Sequence, residues 1–468
     1  MKKKSNFICV LAVCMLAASA CAETEPHDRG HESLLEENFG NYNYRIFATS
    51  SRAADAVLSA GMTGAVVNDA VFDKICAVNE KYNCSVTLSA AASEGNAEAI
   101  GRSILAGQDD FDLCLSTEEN MASMCAMGCF CDLNGIQEMH LDEPWYITDG
   151  FALGGQIYLF SGDISYYGMS RTYMLFFNKV LFDKYQIPYP YDDVLNHNWT
   201  LAKMQEIVRN GYDDVNGNGQ MEENRDIFGY ISGGDYDGIP ESFGIDPFRV
   251  TGPGEIIYEP DGEAYARIAQ SFYSMIFGRG GWLAKGGDTA RSLFRNGHSL
   301  FFFDEFGAAT LSFSETSAKT LSWGTLPMPL IEETQEHYYS CSRDYPAAIP
   351  VTADAHLKKT ALITEALAQA GREYVYPVYY ELAMKARYST DEIDAKMVDL
   401  IMENRRFSFS HLYGGGKDIN SILLPALFDP KDPGFDTASF LESQKGIQKG
   451  IADDIAEAFA RLNEANKQ

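Results

Sequence analysis

VVNDAVFDKICAVNEKYNCSVTLSAA, residues 66–91, sets apolar Val67, Val71, Ile75 and Val78 at helical spacing, and SVTL then reads as a short strand. The same alternation continues along the chain. EAIGRSILAGQDDFDLCLS (98–116) predicts a helix ended near Gly107 and an apolar strand, FDLCL. GQIYLF (155–160) and TYMLFFNK (172–179) read as strands, the second running directly into another helix. Thr200 is placed to cap a helix carrying Leu201, Met204, Ile207 and Val208, because its hydroxyl accepts an unpaired amide hydrogen of the first turn. Helix and strand in alternation, with no internal repeat, point to an α/β fold.

At the N-terminus, Lys2, Lys3 and Lys4 precede the apolar run FICVLAVCML and the small residues AASA before Cys21. This is the pattern of a secretory signal peptide over residues 1–20, too short for a mature membrane anchor. LAASAC also resembles a bacterial lipobox, with Ala18 where leucine is usual, which makes Cys21 the candidate lipid acceptor; the alternative is plain cleavage that leaves Cys21 a thiol. Residues 21–42, which include ETEPHDRGHESLLEEN, read as an acidic tether. The formal net charge is −29, and loss of the three signal lysines makes the mature chain more negative still. Such a surface repels phosphate backbones and anionic lipid, so nucleic acid is not an expected partner, and membrane attachment rests on Cys21. A chain of 468 residues is long enough to divide its core between two or more lobes. Seven cysteines follow Cys21, at positions 76, 84, 114, 125, 129, 131 and 341; an odd number cannot all pair within one chain. MCAMGCFC (124–131) lacks the second Cys or His pair that structural zinc needs, and its thiols read as buried or free.

The order of several stretches resembles the extracellular solute-binding proteins of family 1, the capture subunits of bacterial ABC importers. The stretches are VVNDAVFDKICAVNEKYN, LAGQDDFDLCLS, EPWYITDGFALGGQIYLFSGD, MLFFNKVLFDKYQIP with WTLAKM, FRNGHSLFFFDEFG, WGTLPMPL, ETQEHYYSCSRDYPAAIPVTAD and VYYELAMKARYSTDEI. They extend over most of residues 43–415, and their order and spacing carry the resemblance. It implies a two-lobed, periplasmic-binding-protein-like fold with a hinge and an interlobe ligand cleft. It also implies a monomer on the extracytoplasmic face of the cell membrane that needs no cofactor and hands its ligand to ABC permease subunits. From the spacing, lobe one is expected at residues 43–170 and 298–340, and lobe two at 171–297 and 341–468.

Twenty-six Tyr and four Trp offer flat faces for sugar rings, and acids or amides accept hydrogen bonds from sugar hydroxyls. A carbohydrate is therefore the expected ligand. Candidate contacts lie at segment ends and presumed crossings. Trp145 and Tyr146 follow a proline in a polar loop, and Asp163 ends a strand near the first crossing. Asp304 and Glu305 interrupt an apolar strand; Asp344 and Tyr345 lie near another crossing; Tyr236 and Trp282 come from loop-rich sequence. The bland reading is a surface turn or salt bridge for each acid, and core for most aromatics, including Phe301, Phe302 and Phe303.

DDVNGNGQMEENRDIFGY (213–230) fits a calcium-loop frame in part. Asp214 takes position one, Asn216 three, Asn218 five, Gly219 the sharp turn, Gln220 a backbone carbonyl at seven and Glu222 position nine. Position twelve, where a bidentate Glu belongs, is Arg225, which leaves Glu223 or Asp226 to close the shell. The two readings are a structural calcium staple and a solvated turn. Neither is a reaction centre. Neighbouring Asp304 and Glu305 point to opposite faces of a strand, so they do not form a glycosidase pair, and the chain holds no H-E-x-x-H or G-x-S-x-G motif. The expectation is a binding protein; the rivals are a surface glycan-binding or adhesion protein without a transporter, and a secreted glycan-active enzyme.

Overall fold

A computed structural model of the chain describes residues 37–89, 97–153, 155–234, 236, 238–252, 254–307, 313, 321–385, 392–428 and 435–465. The signal peptide, Cys21 and most of the tether lie outside the described residues.

Two sheets organise the body. The first has four strands, with Tyr42–Ala48 at its centre, parallel to Cys84–Leu88 on one side and to Leu113–Leu115 on the other. Ala347–Ala348 closes it antiparallel to Leu113–Leu115. The helix Val66–Tyr82 turns its buried Val71, Ile75 and Val78 inward, as the spacing predicts. It ends at Asn83, whose φ of 47° is the left-handed cap that turns the chain into the next strand. On the other face, Phe47, Cys114 and Ala348 share a core with Ile104, Met121 and Met124 of the helices Ala97–Leu105 and Glu118–Ala126.

The second sheet runs in the order Gly281–Leu283, Phe228–Ser232, Ser299–Glu305, Tyr173–Asn178, Trp323–Leu326. Tyr173–Asn178 passes straight into the helix Lys179–Tyr185, as expected. Phe301 and Phe303 face a core shared with Trp199, Met204 and Phe272, whereas Phe302 points the other way, toward Phe294. This is the two-residue alternation of a strand covered on both faces. Thr200 accepts from the Lys203 amide and caps the helix Leu201–Asn210, whose Leu201, Met204 and Val208 are buried.

Three expectations need correction. Residues 298–340 do not return to the first lobe: Ser299–Glu305 and Trp323–Leu326 both pair antiparallel with Tyr173–Asn178. A strand apolar on both faces is satisfied at the centre of a sheet, and the second sheet provides that place. Nor does 341–468 belong wholly to the second lobe, since Ala347–Ala348 joins the first sheet and the helix Phe409–Gly414 packs on Glu118–Ala126. GQIYLF is not a regular strand; Gln156 bridges Leu153 and Phe160 bridges Ala347.

The chain crosses between the sheets at residues 163–172, between 327 and 346, through the helix Leu357–Ala370 and the π-helical turn Gly371–Val375, and again at Arg405–Arg406, which pairs with Ser340–Cys341 and leads into the first-lobe helix Phe409–Gly414.

Candidate functional site

The crossings meet on one another. Gly371 lies against the Asp163 carbonyl so closely that a Cβ there would stand 1.7 Å from the oxygen, which only glycine permits. Asp163 donates its amide to the Trp145 carbonyl at 2.9 Å, and its carboxylate accepts from Arg372 at 3.3 Å. Lys74, wholly buried on Val66–Tyr82, donates to the neighbouring Ile164 carbonyl at 2.9 Å. Burial pushes the Asp163 carboxyl up to about 6, against the pull of Arg372 and Arg405, and pushes the Lys74 amine down to about 7.

The second crossing is pinned to the first. Asp344 accepts from the Ser161 hydroxyl and from the Tyr345 amide at 2.7 Å, while its own amide donates to Glu118 at 2.8 Å. Burial raises its carboxyl to about 6. The Thr172 and Ser342 hydroxyls lie 3.1 Å apart, and Ser342 donates to the Gly168 carbonyl at 2.8 Å. Beside these contacts, Tyr167 and Tyr345 bring their rings to 4.5 Å, one from each crossing. Arg171 sits 5.8 Å over the Tyr167 ring and donates to Glu305, at the end of its strand, at 2.7 Å. Tyr166 stacks at 5.2 Å on Tyr379, in the helix Tyr376–Lys385 that follows the π-helical turn. The arrangement supplies aromatic faces, phenolic edges and one half-buried ion pair at the meeting point of both sheets. Such groups hold a polyhydroxylated ring by stacking and hydrogen bonding.

The sequence-derived candidates fall at different places. Tyr345, Asp344, Glu305 and Asp163 gather at the crossings. Asp304 turns to the opposite face of its strand and holds Arg291 in two hydrogen bonds, at 2.5 and 3.0 Å. Trp145 and Tyr146, placed by the sequence in a polar loop, are only 8% and 7% exposed. Both donate to the buried carboxylate of Glu365, at 3.2 and 2.7 Å, and the His140 amide donates to it as well. Tyr236 packs its ring 4.3 Å from Phe428 in the second lobe's core. Trp282 donates to Glu223 at 2.8 Å and lies against Phe228. Sequence reasoning missed Tyr166, Tyr167, Arg171 and Arg372. The Tyr166–Tyr167 doublet, three residues after Asp163, was the available signal.

In the acidic loop, the Asp214 carboxylate accepts the amides of Gly217, Asn218 and Gly219 at 2.8, 3.3 and 2.7 Å. The side-chain amides of Asn216 and Asn218 both donate to Glu222, which brings three of the five predicted ligands into contact. Gln220 gives its amide to Asn218 at 2.7 Å. Asp214, Asn216 and Asn218 supply the oxygen donors that an oxygen-preferring cation takes, and here those oxygens accept the loop's own backbone amides. Neither Glu223 nor Asp226 closes the shell as expected: Glu223 accepts from Trp282, and buried Asp226 accepts the Val215 and Glu222 amides. Elsewhere, Asp109, Asp112 and His356 come together, but Arg45 already bonds both carboxylates, at 2.7 and 2.9 Å. Cys76, Cys84, Cys114, Cys125, Cys129 and Cys131 are free thiols.

The sequence matches no protein-family model and none of the curated proteins. Solved structures do match. The cyclic alpha-maltosyl-1,6-maltose binding protein of Arthrobacter globiformis aligns with a TM-score of 0.59 at 12% identity, over 89% of this chain and 100% of its own. UspC of M. tuberculosis aligns with a TM-score of 0.58 at 13% identity, over 87% of this chain and 100% of its own. The GacH receptor of Streptomyces glaucescens, solved unliganded and with acarbose, aligns with a TM-score of 0.51 at 12% identity, over 90% of this chain and 98% of its own. At these identities the likeness is one of fold, and the chain has the two-lobed, periplasmic-binding-protein-like architecture, its two sheets forming the cores of the lobes.

Proposed function

We propose that this protein is an extracytoplasmic solute-binding protein that captures a carbohydrate between its lobes and delivers it to the permease subunits of an ABC importer. One observation carries the reading: Tyr167 and Tyr345, from two separate crossings, meet 4.5 Å apart beside the Arg171–Glu305 pair. They do so in a fold shared with a cyclic maltosyl-maltose binding protein and an acarbose-binding receptor. Tyr167, Tyr345, Arg171 and Glu305 are the proposed contacts. Asp163 and Asp344 brace the crossings behind them, and Trp145 and Tyr146 brace the loop through Glu365. Closure of two lobes on a shared ligand gives the permease a shape to read. Cys21 is the proposed lipid acceptor, and the loop at 214–222 the proposed seat of a structural calcium; no cofactor takes part in capture.

A thermal-shift screen of neutral mono- and oligosaccharides on the mature body tests this reading. A sugar at a hundred times its Kd adds about 2.7 kcal/mol by mass action, enough to raise Tm measurably. Tyr167→Ala is expected to abolish the shift. Product formation from the bound sugar, seen by chromatography, would overturn the binding-only reading, and so would a panel that leaves Tm unmoved.

A further inference from the structure

The lobes are joined by more than the crossings described above. The hairpin of Phe248–Gly252 and Glu255–Tyr258 leaves the second lobe between its strand Phe228–Ser232 and the helix Gly262–Phe277. Its Phe248 and Ile256 are nevertheless buried in the first lobe's core, with Phe47 and Cys114. The C-terminal helix Thr437–Ala465 repeats this arrangement. Ile455 and Phe459 enter the same first-lobe core, while Leu441, near its other end, packs with Tyr265 of Gly262–Phe277. Polar contacts hold the connection along its length. Asp246 accepts from the Ser410 amide at 3.1 Å and the Ser408 hydroxyl at 3.3 Å, and the Asn420 side chain donates to the Ile245 carbonyl at 3.0 Å.

We infer that the hairpin and the C-terminal helix together form a strap that holds one flank of the interlobe boundary shut, so that the lobes open only on the opposite flank. A rotation that parted the strapped flank would draw Phe248, Ile256 and Phe459 out of the first lobe. Each of these large side chains would lose its apolar burial to water. A rotation whose axis runs along the strap exposes none of them, and that motion is the one the fold leaves inexpensive. The ligand-free protein is therefore narrower, and less varied in its opening, than its crossings alone would make it. The inference needs the two-lobed fold and no bound sugar, so it stands or falls separately from the proposed function.

The test uses the full mature chain without ligand. Seven native thiols make cysteine labelling unselective, so non-canonical residues at Arg102 on the first lobe and Glu206 on the second, both exposed, carry a donor and an acceptor dye. Single-molecule transfer efficiencies are expected to give one narrow interlobe distribution. Phe459→Ser should broaden it toward longer distances, and Leu462→Ala, a milder change at the half-buried end of the helix, should move it the same way by less. Glu457→Ala, on the exposed side of the same helix, should leave it unchanged. A broad distribution in the unaltered protein would overturn the inference. So would Leu462→Ala and Phe459→Ser variants that are folded by circular dichroism and keep the original distribution.

Discussion

Asp344 shows what burial does to a single carboxylate. It keeps three hydrogen bonds through its side chain and amide, yet loss of water outweighs them and raises its carboxyl to about 6; Asp163 and Asp246 are raised to about 6 for the same reason. Between the ordinary carboxylate value of 3.8 and about 6, the folded protein keeps protons that the unfolded chain has released. Stability from these groups therefore falls as pH rises through that window and is level above it. Asp112, lowered by Arg45 and Tyr42 despite burial, has the opposite sign, and its contribution is lost only below the ordinary value. Urea unfolding at a series of pH values from 4 to 7 is expected to show Asp344 costing on the order of 1–3 kcal/mol across the window. Asp344→Asn should flatten the slope by that amount; equal slopes in the two proteins would contradict the assignment. Glu365 makes the complementary point. It lies 220 residues from Trp145 in sequence, so nothing around EPWY announces the acceptor that draws both aromatic side chains inward.

At the scale of elements, local signals were legible where a segment's own residues set its geometry. The helix from Val66, the Thr200 cap and the strand-to-helix run at 173–185 all follow from spacing and capping chemistry. The acidic loop belongs here too, because Asp214, Asn216 and Asn218 bend the backbone through their own side chains. If calcium seats there, chelation should lower Tm of the unaltered protein, while Asp214→Ala should start lower and lose nothing further on chelation. Carbohydrate binding should survive in that variant at a temperature where it is folded. A chelator effect of equal size in both proteins would place the metal elsewhere.

For the whole molecule, the net charge of −29 and the pattern of residues 1–21 argue for a body held beyond the membrane by a lipid on Cys21. Cys21→Ala is expected to move the protein from the membrane fraction to the soluble one, and persistence in the membrane fraction would remove the lipid anchor from the proposal. Fold class and two-lobed organisation were legible in sequence, because period and segment order depend on residues close together in the chain. Sheet membership was not. Phe301–Phe303 demands burial on both faces but does not name its partners, and both sheets have central positions that meet the demand; only the assembled second sheet shows Tyr173–Asn178 on one side and Phe228–Ser232 on the other. The same holds for the candidate site. Residue type marked Asp304 and Glu305 alike, but whether an acid pairs with Arg171, as Glu305 does, or with Arg291, as Asp304 does, depends on which distant side chain reaches it, and that is decided by tertiary packing.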